Sequence, residues 1–142
     1  MNNTALLILA AGKGTRMQSD LPKPLVPMNG MPILGHLLGN SRESGVAQIS
    51  VVVGHKAELV REYVGEGIKT PLQEVRDGTA HAVEIAKESV QGANNLFVFV
   101  GDSPLLTAKS IQRLHQHHQT SGAACTFLTA DFEMKLPYAR VI

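Results

Sequence analysis

Two glycines and two basic residues crowd the segment Leu9-Ala10-Ala11-Gly12-Lys13-Gly14-Thr15-Arg16-Met17, directly after an apolar run. Glycine has no Cβ, so the backbone amides of such a loop can approach an anion closely, and a phosphate site is the natural reading. The spacing excludes two common phosphate loops. The nucleoside triphosphatase loop needs four residues between its first glycine and Gly-Lys-Ser/Thr, whereas one residue separates Gly12 from Gly14. The dinucleotide fingerprint needs a third glycine near Met17 and an acid ending the second strand, where this chain has Gly54 and His55. Further on, Leu21-Pro22-Lys23-Pro24-Leu25 frames a lysine with prolines that would hold it in a fixed extended segment. Lys13, Arg16 and Lys23 are therefore expected to converge on one strand end. Two glycines alone would indicate a turn with solvated basic residues, but Arg16 and the framed Lys23 favour an anion site. Fixed cations of this kind stabilise the charge that builds on an α-phosphate and a departing pyrophosphate.

A second group of residues is Gln73-Glu74-Val75-Arg76-Asp77-Gly78-Thr79-Ala80-His81-Ala82. A carboxamide offers a donor and an acceptor in one plane, which matches the imide edge of uracil or thymine, and Gly78 would let backbone groups approach the base. His81 reads as structural. Asp102, in Gly101-Asp102-Ser103-Pro104-Leu105, is a hard oxygen ligand at the end of an apolar strand. It suits Mg²⁺, which needs only one or two protein carboxylates beside substrate phosphates. His115, His117 and His118 are expected to form an exposed polar helix face rather than a zinc site, because no carboxylate lies within a turn. The single cysteine, Cys125, sits in Ala123-Ala124-Cys125-Thr126-Phe127-Leu128 and reads as a buried strand residue.

Regular elements must bring these groups together. Ala5 to Ala10 is a continuous apolar run, as expected of a central strand buried on both faces. From Pro32 to Ser44, Ile33, Leu34, Leu37 and Leu38 recur at helical spacing, with Pro32 suited to the first turn and Gly45 to the stop. Ile49 to Val53 reads as the second strand. Leu59, Val60, Tyr63 and Val64 mark another helix, ended by Gly65 and Gly67, and a short extended piece surrounds Leu72 and Gln73. A helix from about Thr79 would bury Ala82, Val83, Ile85, Ala86 and Val90, and Leu96 to Val100 is an apolar strand. Thr107 would cap a last helix carrying Ile111 and Leu114 inward. Gly122 closes that helix, and Ala123 to Leu128 is the next strand. This alternation predicts an α/β fold: a mostly parallel sheet covered on both faces, three-layer αβα and Rossmann-like, forming one domain over residues 1–142. Ligands gather at the carboxyl ends of such strands, so the loops after Ala10, Val53 and Val100 are where chemistry is expected.

Composition removes several classes of function. Thirteen basic residues stand against 12 acidic ones, so the chain lacks the positive field of a general nucleic-acid or anionic-membrane binder. The longest apolar run, Ala5 to Ala11, is far short of a membrane span and carries no basic segment before it. With an unpaired cysteine, a reducing, cytoplasmic location is expected.

With these residues in hand, the chain resembles the uridylyltransferase domain of the bacterial bifunctional N-acetylglucosamine-1-phosphate uridyltransferases, a branch of the sugar nucleotidyltransferase family. The likeness runs from Ala5 to Ile142. It rests on Leu9 to Met17, Leu21-Pro22-Lys23, Gln73 with Gly78-Thr79, Gly101-Asp102 with Pro104-Leu105, and Pro137-Tyr138-Ala139-Arg140. The first block indicates sugar nucleotidyltransferases at large, and Gln73 with Gly-Thr-Ala-His and the Pro-Tyr-x-Arg segment narrow it to the uridylyl branch. The resemblance implies the nucleotide-diphospho-sugar transferase form of the fold. It also implies Leu9, Ala10, Ala11, Gly12, Gly14 and Gly101 at the nucleotide, Arg16 and Lys23 as catalytic phosphate-binding cations, and Gln73, Gly78 and Thr79 at uracil. Asp102 would hold Mg²⁺ and Ala139 would lie at the sugar. By the same resemblance, the phosphate oxygen of N-acetylglucosamine 1-phosphate attacks the α-phosphate of UTP in line and releases pyrophosphate, with no covalent enzyme intermediate. Glucose 1-phosphate with UTP or dTTP, and nucleotide binding without turnover, are the alternatives.

Three departures from the family pattern bear on that expectation. Val100 stands where the family usually has tyrosine, and Ala139 adds a methyl where a glycine is usual, which would alter the acceptor site. The sequence stops at Ile142, ahead of the family's further acidic metal ligand and sugar-gripping residues, so the nucleotide-binding portion is the expected extent. Hexapeptide repeats are absent from these 142 residues, which excludes acetyl transfer by them.

Overall fold

The computed structural model describes residues 1–14, 19–75, 77–131 and 133. β1 (Thr4–Leu9) leads through a small antiparallel pair, β2 (Pro27–Met28) and β3 (Met31–Pro32), into α1 (Ile33–Glu43). Then follow β4 (Gln48–Val52), α2 (Ala57–Val64), α3 (Gly78–Ile85), β5 (Asn95–Val100) and α4 (Ala108–Ser121). The three longer strands form a parallel sheet in the order β4-β1-β5, with Leu6 opposite Ile49 on one side and Phe97 on the other. As its unbroken apolar sequence predicts, β1 is central, and Ala5 to Ile8 are fully buried. Residues 69–73 run beside β4 without forming a full strand. Val51 N–H donates to Lys69 C=O, and Gln73 N–H donates to Val53 C=O at 2.8 Å.

Alternate residues of β1 feed two core layers. Leu6 and Ile8 pack with Leu34, Leu37 and Leu38 of α1, Val60 and Val64 of α2, and Ile111 of α4. Leu7 packs on the opposite face with Val52, Ala82 and Ala86. Each fully buried leucine or isoleucine contributes about 1.5–3 kcal/mol, so these two layers fix the strand ends relative to one another. Thr107 caps α4 by accepting from Ser110 N–H at 3.2 Å, and Gly122 ends it at a φ of 63°. In α2 the buried stripe is Ala57, Val60 and Val64, while Leu59 and Tyr63 flank it half-exposed.

Several expectations are corrected. Pro32 occupies the N-cap position of α1 rather than its first turn. The helix from Gly78 stops at Ile85 and continues as a 3₁₀ turn, Lys87–Val90, so Ala82 and Ala86 are buried but Val83, Ile85 and Val90 only partly. The Ser89 hydroxyl donates to Ala86 C=O at 2.7 Å and supports that tighter turn. β5 is not covered on both faces: Leu96, Val98 and Val100 are each more than 40% exposed, because α3 lies over β1 rather than over β5.

Ala123 to Leu128 is no strand, and Cys125 is exposed. A strand needs a ladder partner for its backbone groups, and among the described residues β5 pairs with β1 alone. The segment is tied instead to α4, through Thr126 Oγ1 and His118 Nδ1 at 2.8 Å. Nor is His115 part of an exposed polar face. Its ring packs near Phe97, and Nε2 lies 3.2 Å from Thr4 Oγ1. Burial, then the Met1 ammonium group, then His118 lower its pKa from the ordinary 6.5.

Candidate active site

The carboxyl ends of the three parallel strands meet at a cleft of about 380 Å³. Its floor is the exit of β1, Leu9-Ala10-Ala11-Gly12, and small side chains are required there. From the β4 side, Gly54 presses on Ala11, and a Cβ at position 54 would stand 2.8 Å from Ala11 C=O. From the β5 side, Gly101 N–H donates to Leu9 C=O at 2.8 Å, and a Cβ at 101 would lie 3.0 Å from that oxygen. Glycines just beyond the ends of both neighbouring strands thus clamp the turn after β1 without occupying the cleft.

Lys23 and Asp102 reach the same cleft from distant parts of the chain and form an ion pair. Pro22 is extended, with a ψ of 143°, but Lys23 opens a 3₁₀ turn over Lys23–Leu25, closed by Leu25 N–H donating to Pro22 C=O. The wholly extended segment expected for Lys23 is therefore corrected: the fixed φ and missing N–H of Pro24 suit the start of a helical turn. Gly14 packs on the lysine stem. At its φ of 62°, a side chain would be strained and its Cβ would sit 2.7 Å from Lys23 Cβ. The two charged side chains are 33% and 39% exposed, so their pairing contributes only about 0–1 kcal/mol. Both partners can exchange it for a ligand at little cost.

Gln73 forms the opposite wall and is buried. Its Nε2 donates to Gly78 C=O at 3.1 Å and lies 3.5 Å from His81 Nδ1. The amide donor is thus engaged internally, which corrects the expectation that Gln73 offers a base both a donor and an acceptor. Donors are available next to it. Gly78 starts α3 at a φ of 82°, the side chain of Asp77 does not cap the helix, and a Cβ at 78 would meet open space.

Of the residues expected at a nucleotide, Leu9, Ala10, Ala11, Gly12, Lys23, Gln73, Gly78, Thr79 and Gly101 all line this cleft, together with Asp102. Gly14 stands behind Lys23. Lys13 is exposed and not part of the lining, so it does not converge as expected. Arg16 and Ala139 lie outside the described residues. Pro24, Ala82 and Val100 line the cleft in addition. Two supporting residues had no sequence signal. Gly54 owes its role to a contact across the sheet, and Lys56, at a φ of 52°, places its ammonium on Asp20 C=O and tethers the returning arm of the loop.

A single carboxylate at the cleft mouth, with room beside it for phosphate oxygens and water, fits the coordination of Mg²⁺. No group of three or more potential metal ligands occurs among the described residues, so any ion here would be held largely by its substrate. No helix of the described residues is long and apolar enough to cross a membrane.

A parallel α/β sheet with a glycine turn, a cation and an acid at its strand ends defines a nucleotidyltransferase-type domain. The chain belongs to the MobA-like NTP transferase domain family, whose pattern matches residues 6–141. It is 45% identical to the bifunctional protein GlmU of Trichlorobacter lovleyi over 98% of this chain and 31% of that protein. To the bifunctional protein GlmU of Alkaliphilus metalliredigens it is 42% identical, over 96% of this chain and 30% of that one. The chain therefore spans about a third of the length of these curated relatives. Among solved structures, Rv0371c from Mycobacterium tuberculosis H37Rv superposes with a TM-score of 0.72 at 25% identity, covering 82% of this chain and 61% of that one.

Proposed function

We propose that residues 1–142 form the nucleotide-binding portion of an enzyme that transfers UMP from UTP to N-acetylglucosamine 1-phosphate, giving UDP-N-acetylglucosamine and pyrophosphate. The observation that carries this reading is the meeting of Lys23 and Asp102 at one mouth of a cleft whose floor is the glycine turn and whose far wall is Gln73. The phosphates would lie over Gly12 and against Lys23, with Arg16 as a further cation from the same loop. Uracil would rest against Gln73, Gly78 and Thr79, its N3–H facing a carboxamide oxygen and its carbonyl oxygens facing backbone N–H groups.

Asp102 would hold Mg²⁺, which neutralises triphosphate charge when bound. The protein's own share is positioning and charge. Lys23 stabilises the negative charge that moves onto pyrophosphate as the α-phosphorus bond to the bridging oxygen breaks and the bond to the sugar-phosphate oxygen forms. Such a transfer needs no nucleophilic side chain, because the sugar-phosphate oxygen itself attacks the α-phosphorus. Ala139 is the residue expected at the sugar. The relatives' identity as GlmU proteins supports the uridylyl reading, and the unpaired Cys125 supports a cytoplasmic location.

The test is pyrophosphate release with Mg²⁺, UTP, dTTP or CTP, and a panel including the 1-phosphates of N-acetylglucosamine and glucose. Release that requires UTP and N-acetylglucosamine 1-phosphate supports the proposal. Faster turnover with dTTP or glucose 1-phosphate would reassign the substrates, and UTP binding with no turnover on any sugar would reduce the chain to a nucleotide-binding module.

A further inference from the structure

We propose that Lys56 is a positioning residue that pre-orders the glycine loop for the triphosphate. The inference rests on the nucleotide-binding reading above. Lys56 has a left-handed backbone, with a φ of 52° and a ψ of 43°, at the N-cap of α2. The other described residues besides glycine that share a positive φ are Asn3 and Asn29, a type that tolerates it. For lysine the conformation is costly and persists only where surrounding contacts hold it. Here they hold it on both sides. Gly54 packs on Ala11 just before Lys56, and Ala57, Val60 and Val64 anchor α2 in the core just after it. A glycine at position 56 would make the same turn without strain, so what lysine adds is its side chain.

That side chain completes a brace. His55 N–H donates to Ala11 C=O at 3.4 Å, where the glycine loop begins, and the Lys56 ammonium donates to Asp20 C=O, where the loop returns. Consecutive residues of one turn thus hold both ends of the stretch 12–19. Past Asp20 the chain is secured independently, since the side chain of Pro22 is fully buried and Gly14 packs on Lys23. Lys56 therefore acts on the glycine loop rather than on Lys23. It does not line the cleft, and its effect is to reduce the freedom that the loop must lose when its amides close on phosphate oxygens. Gln73 is fixed separately, by its N–H on Val53 C=O and its side-chain amide on Gly78 C=O, so the contribution of Lys56 falls on the phosphate end of the ligand.

The experiment measures the affinities of UTP with Mg²⁺, and of uridine, which lacks the phosphates, for the wild type, Lys56→Gly, Lys56→Met and Lys56→Arg. The wild type should bind UTP more tightly than uridine. Lys56→Gly and Lys56→Met should each weaken UTP about fivefold and leave uridine unchanged, and Lys56→Arg, which retains a charged donor of similar reach, should recover most of the loss. Lys56→Gly relieves the left-handed strain and should not lower the urea midpoint, so its weaker binding does not come from poorer folding. The loss should persist at about 1 M salt, where the screening length is only about 3 Å and attraction between the Lys56 charge and the phosphates across the loop is removed. Undiminished UTP affinity in Lys56→Gly and Lys56→Met, a loss that vanishes in that salt, or an equal loss for uridine would overturn the role of Lys56 and leave the nucleotide-binding reading standing. A wild type that binds UTP no better than uridine would overturn both, because a loop ordered for phosphate must favour the phosphorylated ligand.

Discussion

Lys23 and Asp102, 79 residues apart in sequence, form an ion pair at the carboxyl end of the parallel sheet, directly above the turn that leaves β1. Each partner is held from behind: Lys23 by Gly14 and the 3₁₀ turn that it opens, Asp102 by Gly101 hydrogen-bonded to Leu9. The pair is weak enough to give way to a ligand and well enough placed to receive one.

Lys23→Ala and Asp102→Asn should each lower the rate of pyrophosphate release by about 10²–10³-fold, the usual effect of removing one fixed group facing developing charge. Because both side chains are about a third exposed, the stability of either variant should stay within about 1 kcal/mol of the wild type. Steady-state kinetics beside a melting curve separates the two effects.

Gly54→Ala should destabilise the protein by about 1–3 kcal/mol, since the new methyl would collide with Ala11 backbone rather than with a movable side-chain end. Urea denaturation measures this. Nucleotide affinity should fall as well, because the residue displaced is part of the cleft floor.

Thr107→Ala removes the oxygen that accepts from Ser110 N–H and should cost about 1 kcal/mol. Thr107→Asp should retain most of that stability, read as the urea midpoint.

His115 links stability to pH. Its folded pKa is lowered by burial first, so the unfolded chain binds the proton more readily than the folded one. Stability is therefore complete above the unfolded value of 6.5 and declines as pH falls below it toward the folded pKa. The urea midpoint should drop between about pH 7.5 and pH 5 in the wild type, and His115→Gln should flatten that part of the profile while retaining a polar partner for Thr4.

Where local pattern decides structure, the sequence was a sufficient guide. The apolar run of β1, the helical spacing of Leu34, Leu37 and Leu38, and the Thr107 cap all appear as expected, because each is set by residues within a few positions of one another. The cleft lining from Leu9 to Gly12, Gln73, Gly78 and Asp102 was legible for a different reason: parallel strands deliver their exits to one edge whatever the intervening loops do. What sequence could not supply was pairing between distant segments. Ala123 to Leu128 has the composition of a strand, but composition does not provide a neighbour. Gly54 and Lys56 act across the sheet, and the spent donor of Gln73 depends on where Gly78 C=O falls after folding. Leu96, Val98 and Val100 look like core in sequence and lie open because no described element covers that face of β5.

The central claim is that the glycine turn, Lys23 and Asp102 together grip a metal-bound triphosphate. Titration calorimetry of UTP into the wild type and Asp102→Asn, with Mg²⁺ and with EDTA, tests it most directly. The account predicts tight binding only for the wild type with Mg²⁺, and equally weak binding in the other three cases. UTP affinity that is the same with and without the metal, or that survives Asp102→Asn undiminished, would contradict it.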